Sequence, residues 1–290
     1  MSEFFSSLNL DYKSFIIPII TFIVGWIAKI LYERYTLNYK LKIEYDFEQK
    51  KRLKEEIAKN KMHLINISEE FNHRLWNFNE NISKDWHQIN QKDWEERTKY
   101  YTRSFVYRFL VFIHWVLKTE KDTISIDTIV ADKKDIEYLK FIKTFKDIFS
   151  EPKLLKELDY SSGNNTNHFF KNNLKGYSKW VIENEKVIDF DEFSDKTEKK
   201  YVELEKVIDY FSKIENNDFD KNLNILRCFH LLIISFLNEY GHTYQHTSDD
   251  KINKLTKLYK DKIKIKEGFK KFIEKSKLEK ELKKILKKIK

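Results

Sequence analysis

The chain has 290 residues, and its net charge of +9 comes from 55 basic and 46 acidic residues. Five glycines and two prolines are too few for the closely spaced turns of a β-sandwich or β-barrel, so the composition predicts an all-α fold. The only cysteine, Cys228, excludes an intramolecular disulfide and a thiolate zinc site.

The positive charge is concentrated near one end of the sequence. Residues 251–290 contain 17 lysines and five acidic residues, a net charge of +12, so the other 250 residues together carry −3. A basic isoelectric point alone would suggest a nucleic-acid-binding domain. The uneven distribution of charge instead indicates a nearly neutral body with a basic tail.

An apolar segment over residues 14–32 predicts a transmembrane helix. From position 15 to position 32 there are 18 residues, of which Lys29 is the only charged one. A lysine near the end of a span can extend its amine to the lipid headgroups. Trp26 and Tyr32 suit the membrane interface for a similar reason, because their rings are amphipathic.

A signal peptide and a buried core helix are the alternatives for this segment. A signal peptide fits poorly, because Glu3 and Asp11 stand in its N-terminal region and no small-residue cleavage pattern follows. A core helix is compatible with the length, but the segment is apolar on all faces and lies near one end of the sequence. We therefore expect a membrane anchor.

The flanking charges predict the orientation of the span. Basic residues stand at positions 29, 34, 40 and 42, at or just after the span, whereas Lys13 alone precedes it. Since the more positive flank stays in the cytoplasm, we expect residues 1–13 to form a short extracytoplasmic tail. Everything after the span would then lie in the cytoplasm.

Residues 33–82 predict a long stalk helix that contains no glycine or proline. Its apolar positions recur at intervals of three, four or seven residues, as at Leu53, Ile57, Leu64 and Phe71. This period is typical of a helix with one buried stripe. Coiled-coil self-association is an alternative, although polar residues interrupt the heptads.

Residues 83–250 predict a cytosolic helical-bundle domain. Two strongly apolar helices are expected within it, over residues 94–118 and 223–240, and we expect them to pack against each other. Residues 187–190 are the one short piece whose sequence suits an extended conformation.

Residues 251–290 predict a basic amphipathic C-terminal helix, or two such helices. Leu278, Leu282, Ile285 and Ile289 form an apolar stripe with lysines around the rest of the circumference. This pattern suits an anionic lipid surface, an acidic partner or RNA. Packing of the stripe against the protein's own domain is the alternative.

Arg108 and His114 are the candidate catalytic pair. Their Arg-x5-His spacing on an apolar helix resembles the signature of HEPN-superfamily proteins, helical domains that often cleave RNA as dimers. The resemblance implies a histidine that acts as general acid or base and an arginine that stabilises the phosphate. The alternative is a structural pair, each member bonded to a carboxylate or a helix end.

Five further polar residues stand on or beside predicted apolar helix faces and are candidates for a polar core network: His73, Arg74, Asn77, Arg227 and His230. They could bind a ligand, or they could close hydrogen bonds inside the bundle.

His242 and His246 are the weak candidates for a metal site. Their spacing of four would suit a shared metal on a helix, but Gly241 is expected to end the helix just before them. Exposed loop histidines are the alternative that we favour. We predict no cofactor.

One N-terminal span, a long helix and a cytosolic helical domain with an Arg-x-His pair resemble the HEPN-like membrane accessory proteins of type VI-B CRISPR loci. The segments FNHRLWNF (71–78), YYTRSFVYRFLVFIHW (100–115) and HFFKNNLKGYSKWVI (168–182) also resemble a broader set of bacterial membrane-anchored proteins. The resemblance implies an oligomer in the bacterial inner membrane that opens a pore or depolarises the membrane during phage infection.

Three functions are therefore open. The first is an oligomeric membrane effector of antiviral defence, whose partners would be the lipid bilayer, further copies of the chain and anionic lipid at the C-terminal helix. The second is a membrane-tethered, metal-independent ribonuclease. The third is a non-catalytic tethered module that recruits a cytosolic partner, for which RNA or an RNA-guided nuclease complex is the candidate.

Overall fold

The computed structural model describes residues 10–161, 163 and 167–289, with side chains from residue 15 onward. The described chain is predominantly helical, as predicted, and its only strands form one short hairpin. The predicted extracytoplasmic tail, residues 1–13, lies outside the described residues except for the backbone of positions 10–13, which is helical.

The first helix, α1, runs from Leu10 to Asn81 and is 72 residues long. It includes both the predicted span and the predicted stalk, because nothing between them breaks a helix. Pro18 lies inside α1, about two turns from the start of the helix at Leu10.

The chain divides into two compact units. One contains residues 1–52 together with 127–130, and the other contains residues 53–126 and 131–290. The boundary lies inside α1, where the exposed apolar residues of its first half give way to the buried stripe that begins at Leu53.

The further α-helices follow in chain order: α2 (Gln91–Glu95), α3 (Tyr100–Thr123), α4 (Lys133–Asp147), α5 (Lys171–Tyr177), α6 (Phe190–Thr197), α7 (Tyr201–Ser212), α8 (Lys221–Tyr240), α9 (Asp249–Lys260), α10 (Lys266–Ser276) and α11 (Glu279–Lys288). Short 3-10 turns lie at Ile82–Lys84, Thr128–Val130, Pro152–Leu158, Ser178–Val181 and Thr243–Gln245.

Aromatic side chains fill the core of the larger unit. Phe112 of α3 meets Phe229 of α8 edge to face, with ring centroids 5.2 Å apart, so the two apolar helices pack together as predicted. Phe71 of α1 also meets Phe229, at 5.2 Å, and Phe149 lies 4.7 Å from the same ring. These ring contacts join α1, α3 and α8 at Phe229. Each contributes about 1 kcal/mol to stability beyond the effect of its buried area.

Of the predicted extended piece, residues 187–190, only Val187 lies in a strand, because Asp189 and Phe190 already begin the next helix. Strands β1 (Ile182–Glu183) and β2 (Lys186–Val187) pair in antiparallel register. The two residues between them have positive φ angles, as a tight hairpin turn requires. Asp189 then caps α6, and its side chain accepts a hydrogen bond from the backbone N–H of Glu192 (2.8 Å).

The prediction of one or two basic amphipathic helices in residues 251–290 is wrong, because the described part of this segment forms three short helices, α9 to α11. Lys277 ends α10 in the left-handed conformation, with φ of 57°. The turn lets α11 fold back on α8 and α9, which buries the predicted apolar stripe within the protein's own unit. The lysines remain outside.

Candidate functional site

The first half of α1 presents a continuous apolar surface to the outside of the protein. It is the one helix in the described part of the chain that is long and apolar enough to cross a membrane, and none of its most apolar stretch is buried. Trp26 and Tyr32 are both more than half exposed. Lys29 lies within reach of Glu33, with 3.8 Å between amine and carboxylate.

The polar side chains of this stretch find partners within the helix. Thr21 Oγ1 donates to the carbonyl of Ile17 (2.9 Å), and Thr36 Oγ1 donates to the carbonyl of Tyr32 (2.8 Å). A hydroxyl that is satisfied in this way does not need water, which makes it compatible with lipid.

The helix remains apolar beyond the predicted span, but in a different pattern. From position 35 to position 47 every second residue is apolar and at least half exposed. On a helix these residues form two rows, which we call row one (Tyr35, Tyr39, Ile43, Phe47) and row two (Leu37, Leu41, Tyr45). The rows are offset by two residues, or about 200° at about 100° per residue, so they lie on nearly opposite faces.

The turn at residues 127–130 belongs to the same compact unit as these rows. The backbone N–H of Asp127 donates to the side chain of Gln49 (3.4 Å). Ile129 is 90% exposed, and together with Tyr45 and Phe47 it lines an open groove of about 690 Å³. The turn thus adds an apolar side chain to the exposed surface of this unit.

The structure does not bring Arg108 and His114 to one site within the chain. They are six residues apart on α3, which separates them by about 120° around the helix. Arg108 faces α1, where its Nε lies 3.4 Å from a carboxylate oxygen of Glu70, and its Nη1 donates to the Ser104 carbonyl (3.2 Å). These contacts match the structural alternative for Arg108.

His114 lies beside a separate open cleft of about 770 Å³ that is lined by lysines, including Lys118 and Lys175. Burial, together with the positive charge of Lys118, lowers the pKa of His114 to about 4. The ring is therefore neutral at pH 7. A neutral imidazole can act as a base, but Arg108, the other member of the predicted pair, does not lie beside it.

Of the five predicted network residues, the two on α8 are buried. The ring of His230 joins Tyr259 and Asn72, with Nδ1 2.9 Å from the tyrosine hydroxyl and Nε2 3.0 Å from Asn72 Oδ1. Arg227 donates to the carbonyl of Lys262 (2.8 Å) and pairs with Asp218 (3.1 Å).

The other three lie on α1 and are not in the core. Arg74 is half-buried, donates from Nη2 to Ser104 Oγ (2.6 Å) and stacks on the ring of Tyr101 at 4.5 Å. The prediction of a core position is wrong for His73, whose side chain is 74% exposed, and for Asn77, which is also exposed.

His242 and His246 flank the 3-10 turn that follows α8, as expected for loop histidines. The ring of His242 stacks on Tyr244, and His246 contacts the Gly241 carbonyl (3.2 Å). Among the described residues, no group of three or more histidine, cysteine or acidic side chains is placed to hold a metal ion.

Sequence reasoning missed Arg103, one of the most buried charged residues. Its guanidinium lies 4.1 Å above the ring of Trp94 and donates to the Ser194 carbonyl (3.2 Å) and to Thr197 Oγ1 (3.2 Å). Burial lowers its pKa to about 10, so it remains charged at pH 7. Arg103 lies on α3, six residues before Phe109, and nothing in the sequence at this position distinguishes it from Arg108 on the same helix.

No protein-family model matches the chain, and neither a curated protein nor a solved structure matches it. The function is therefore argued from the residues and their geometry, and the resemblance drawn from the sequence stays a prediction.

Proposed function

We propose that this chain is a single-span membrane protein that acts by self-association, with its helical domain on the cytoplasmic side. The observation that carries the proposal is the exposed apolar surface of α1 from residue 15 to residue 47. Exposed apolar patches of this extent mark membrane or protein contacts.

Two partners are needed to cover that surface, because its two parts differ in composition. Residues 15–32 contain one charge and are apolar all round, which suits hydrocarbon. Residues 35–47 carry charges between their apolar rows, at positions 40, 42, 44 and 46. Charged side chains at this density are too costly inside a bilayer, so this segment would lie in water beyond it.

Further copies of the same chain suit the two rows. A two-fold dimer covers the same face on both chains and would leave the opposite row exposed. If row one of each copy packs on row two of the next, every copy has two neighbours and the assembly closes into a ring. A common membrane anchor supports this arrangement, since it holds all copies parallel and at the same height.

Self-association would give the membrane segment a function that a single helix cannot have. One span cannot line a channel, so several must surround it. The proposal that the assembled spans perturb or permeabilise the bacterial inner membrane in antiviral defence is supported by the resemblance to type VI-B accessory proteins. No arrangement within the described chain favours the ribonuclease alternative, because Arg108 and His114 face different neighbours.

A mixing experiment tests the head-to-tail contact. Ile43→Glu places a charge in row one, and Leu41→Glu places one in row two. We expect the wild-type chain, purified in mild detergent, to be a large oligomer by mass photometry and each variant to be monomeric. Mixing the two variants should restore a heterodimer, because the intact row of one then meets the intact row of the other.

Lys42→Glu is the matched control, because it introduces the same side chain between the rows and should leave the oligomer intact. A monomeric wild-type chain contradicts self-association. A variant in one row that is a stable dimer by itself, with no heterodimer on mixing, contradicts the head-to-tail arrangement and indicates a two-fold contact instead.

A further inference from the structure

A cleft of about 300 Å³ lies within the larger unit. Its walls are the later part of α1, the turn that follows α8 and the start of α9, and it is lined by Asn72, His73, Trp76, Tyr244, His246 and Lys254 among others. It therefore brings together His73 and His246, which the sequence places 173 positions apart. Its volume is at the lower end of the range for small-molecule sites.

The polar network of His230 fixes the orientation of a buried amide in this cleft. Burial lowers the pKa of His230 to about 3, so the ring is neutral. Asn72 Oδ1 can only accept, so the ring donates from Nε2, and Nδ1 then accepts from the Tyr259 hydroxyl. Asn72 is only 6% exposed and its Nδ2 has no hydrogen-bond partner among the described residues.

This Nδ2 is not sealed from solvent, and both of its N–H groups are free to donate. Because Asn72 lines the cleft, an occupant of the cleft can accept from it. The ring of Trp76 is held at the same place, edge to face on His230 at 5.2 Å. The interior therefore presents a preorganised amide beside a fixed aromatic ring.

The outer wall adds a second aromatic ring, two lysines and two glutamates, Glu69 and Glu80. Tyr244 is 77% exposed and is stacked on His242. Lys251 and Lys254 also line the cleft, and in the described structure neither amine has a hydrogen-bond or ion-pair partner. Glu69, in contrast, already accepts from the Gln245 side chain (2.7 Å).

We propose that this cleft binds a nucleoside phosphate. The base would stack against Trp76 and Tyr244, with Asn72 Nδ2 donating to an acceptor on its edge. The phosphate would lie between Lys251 and Lys254, whose amines form charge-assisted hydrogen bonds with anionic oxygen. His73 and His246 stand at the same opening.

Titration of the full chain in mild detergent with adenosine 5′-monophosphate, followed by calorimetry, tests the proposal. We expect saturable binding, and we expect both adenosine and inorganic phosphate to bind at least about tenfold more weakly, because each lacks one half of the contacts. Lys254→Glu should weaken nucleotide binding by about tenfold or more, through repulsion in place of attraction. Tyr244→Ala should weaken it through lost stacking.

Lys257→Glu is the matched control on α9, since Lys257 is exposed and does not line the cleft. It should bind as the wild type does. No saturable binding up to about 5 mM nucleotide overturns the proposal, as does an equal loss in the Lys254 and Lys257 variants, which would mean non-specific charge attraction. All these proteins should keep the wild-type oligomeric state, so that a failure here is separate from a failure of self-association.

Discussion

The imidazole ring of His230 lies fully buried, and this burial couples the stability of the protein to pH. Its pKa is lowered from about 6.5 in an unfolded chain to about 3 in the folded one. As the pH falls, the unfolded chain therefore takes up the proton first. The neutral ring contributes its full stability above about pH 6.5, and this contribution is lost as the pH falls toward 3.

We predict that His230→Gln flattens the dependence of stability on pH. Between pH 7 and pH 5 the free energy of unfolding should fall by about 2 kcal/mol more in the wild type than in the variant, because glutamine does not titrate. Denaturant unfolding of the detergent-solubilised chain at a series of pH values measures this slope. His246→Gln is the control, and a wild-type slope in His230→Gln would contradict the neutral buried ring.

The polar residues of α1 show what the sequence could predict at this scale. Phe71, Leu75 and Phe78 define the buried face of the helix, and His73 lies about 200° from Phe71 at about 100° per residue. The helical period therefore places His73 outside the core. His73 was predicted to join a core network because it adjoins the buried stripe in sequence. The burial of Asn72 could not be predicted, since its side-chain amide accepts a hydrogen bond from His230, which is 158 positions away.

The C-terminal helices carry apolar residues that face the interior of their own unit. Leu282 is fully buried, and α11 is held to α8 by a hydrogen bond from Ser235 to the Glu281 carbonyl (3.0 Å). The basic tail of the sequence is thus an integral layer of the domain. Its apolar stripe is not free to enter a lipid surface, and only its lysines remain for an anionic partner.

We predict that Leu282→Ala lowers the free energy of unfolding by about 2–5 kcal/mol, through lost burial and the cavity left behind. Thermal or denaturant unfolding in detergent measures the change. Lys283→Ala, an exposed neighbour on the same helix, should change stability by less than about 0.5 kcal/mol. Equal stability of the two variants would show that α11 is not packed as described.

The division of residues 251–289 into three helices could not be read from the sequence, because the turn at Lys277 involves neither glycine nor proline. Gly268 was a usable signal. A Cβ at this position would lie 2.8 Å from the Leu154 carbonyl oxygen. The backbone N–H of Gly268 donates to the Glu157 side chain (2.7 Å). A glycine inside a helix thus marked a close approach to another element.

At the scale of the whole chain, the composition was sufficient to predict an all-α fold and an apolar first helix. The two facing apolar helices were also predictable from their apolar runs, although the first was predicted over residues 94–118 and spans Tyr100–Thr123. The candidate sites were harder to predict from the sequence. The cleft beside Asn72 depends on three segments that meet only in the fold. The two rows on α1 alternate with a period of two, which differs from the period of a helix with one apolar face, so the predicted helix carried no signal for two faces.

The central claim is that residues 15–32 cross a lipid bilayer, and alkaline extraction followed by flotation tests it most directly. Washing isolated membranes in alkaline carbonate removes peripheral proteins, so the wild-type chain should stay with the lipid and float with it. Ile20→Arg combined with Val24→Arg should move most of the chain to the soluble fraction, because each arginine at the centre of a span costs about 3 kcal/mol. Release of the wild-type chain into the soluble fraction by carbonate would contradict the claim.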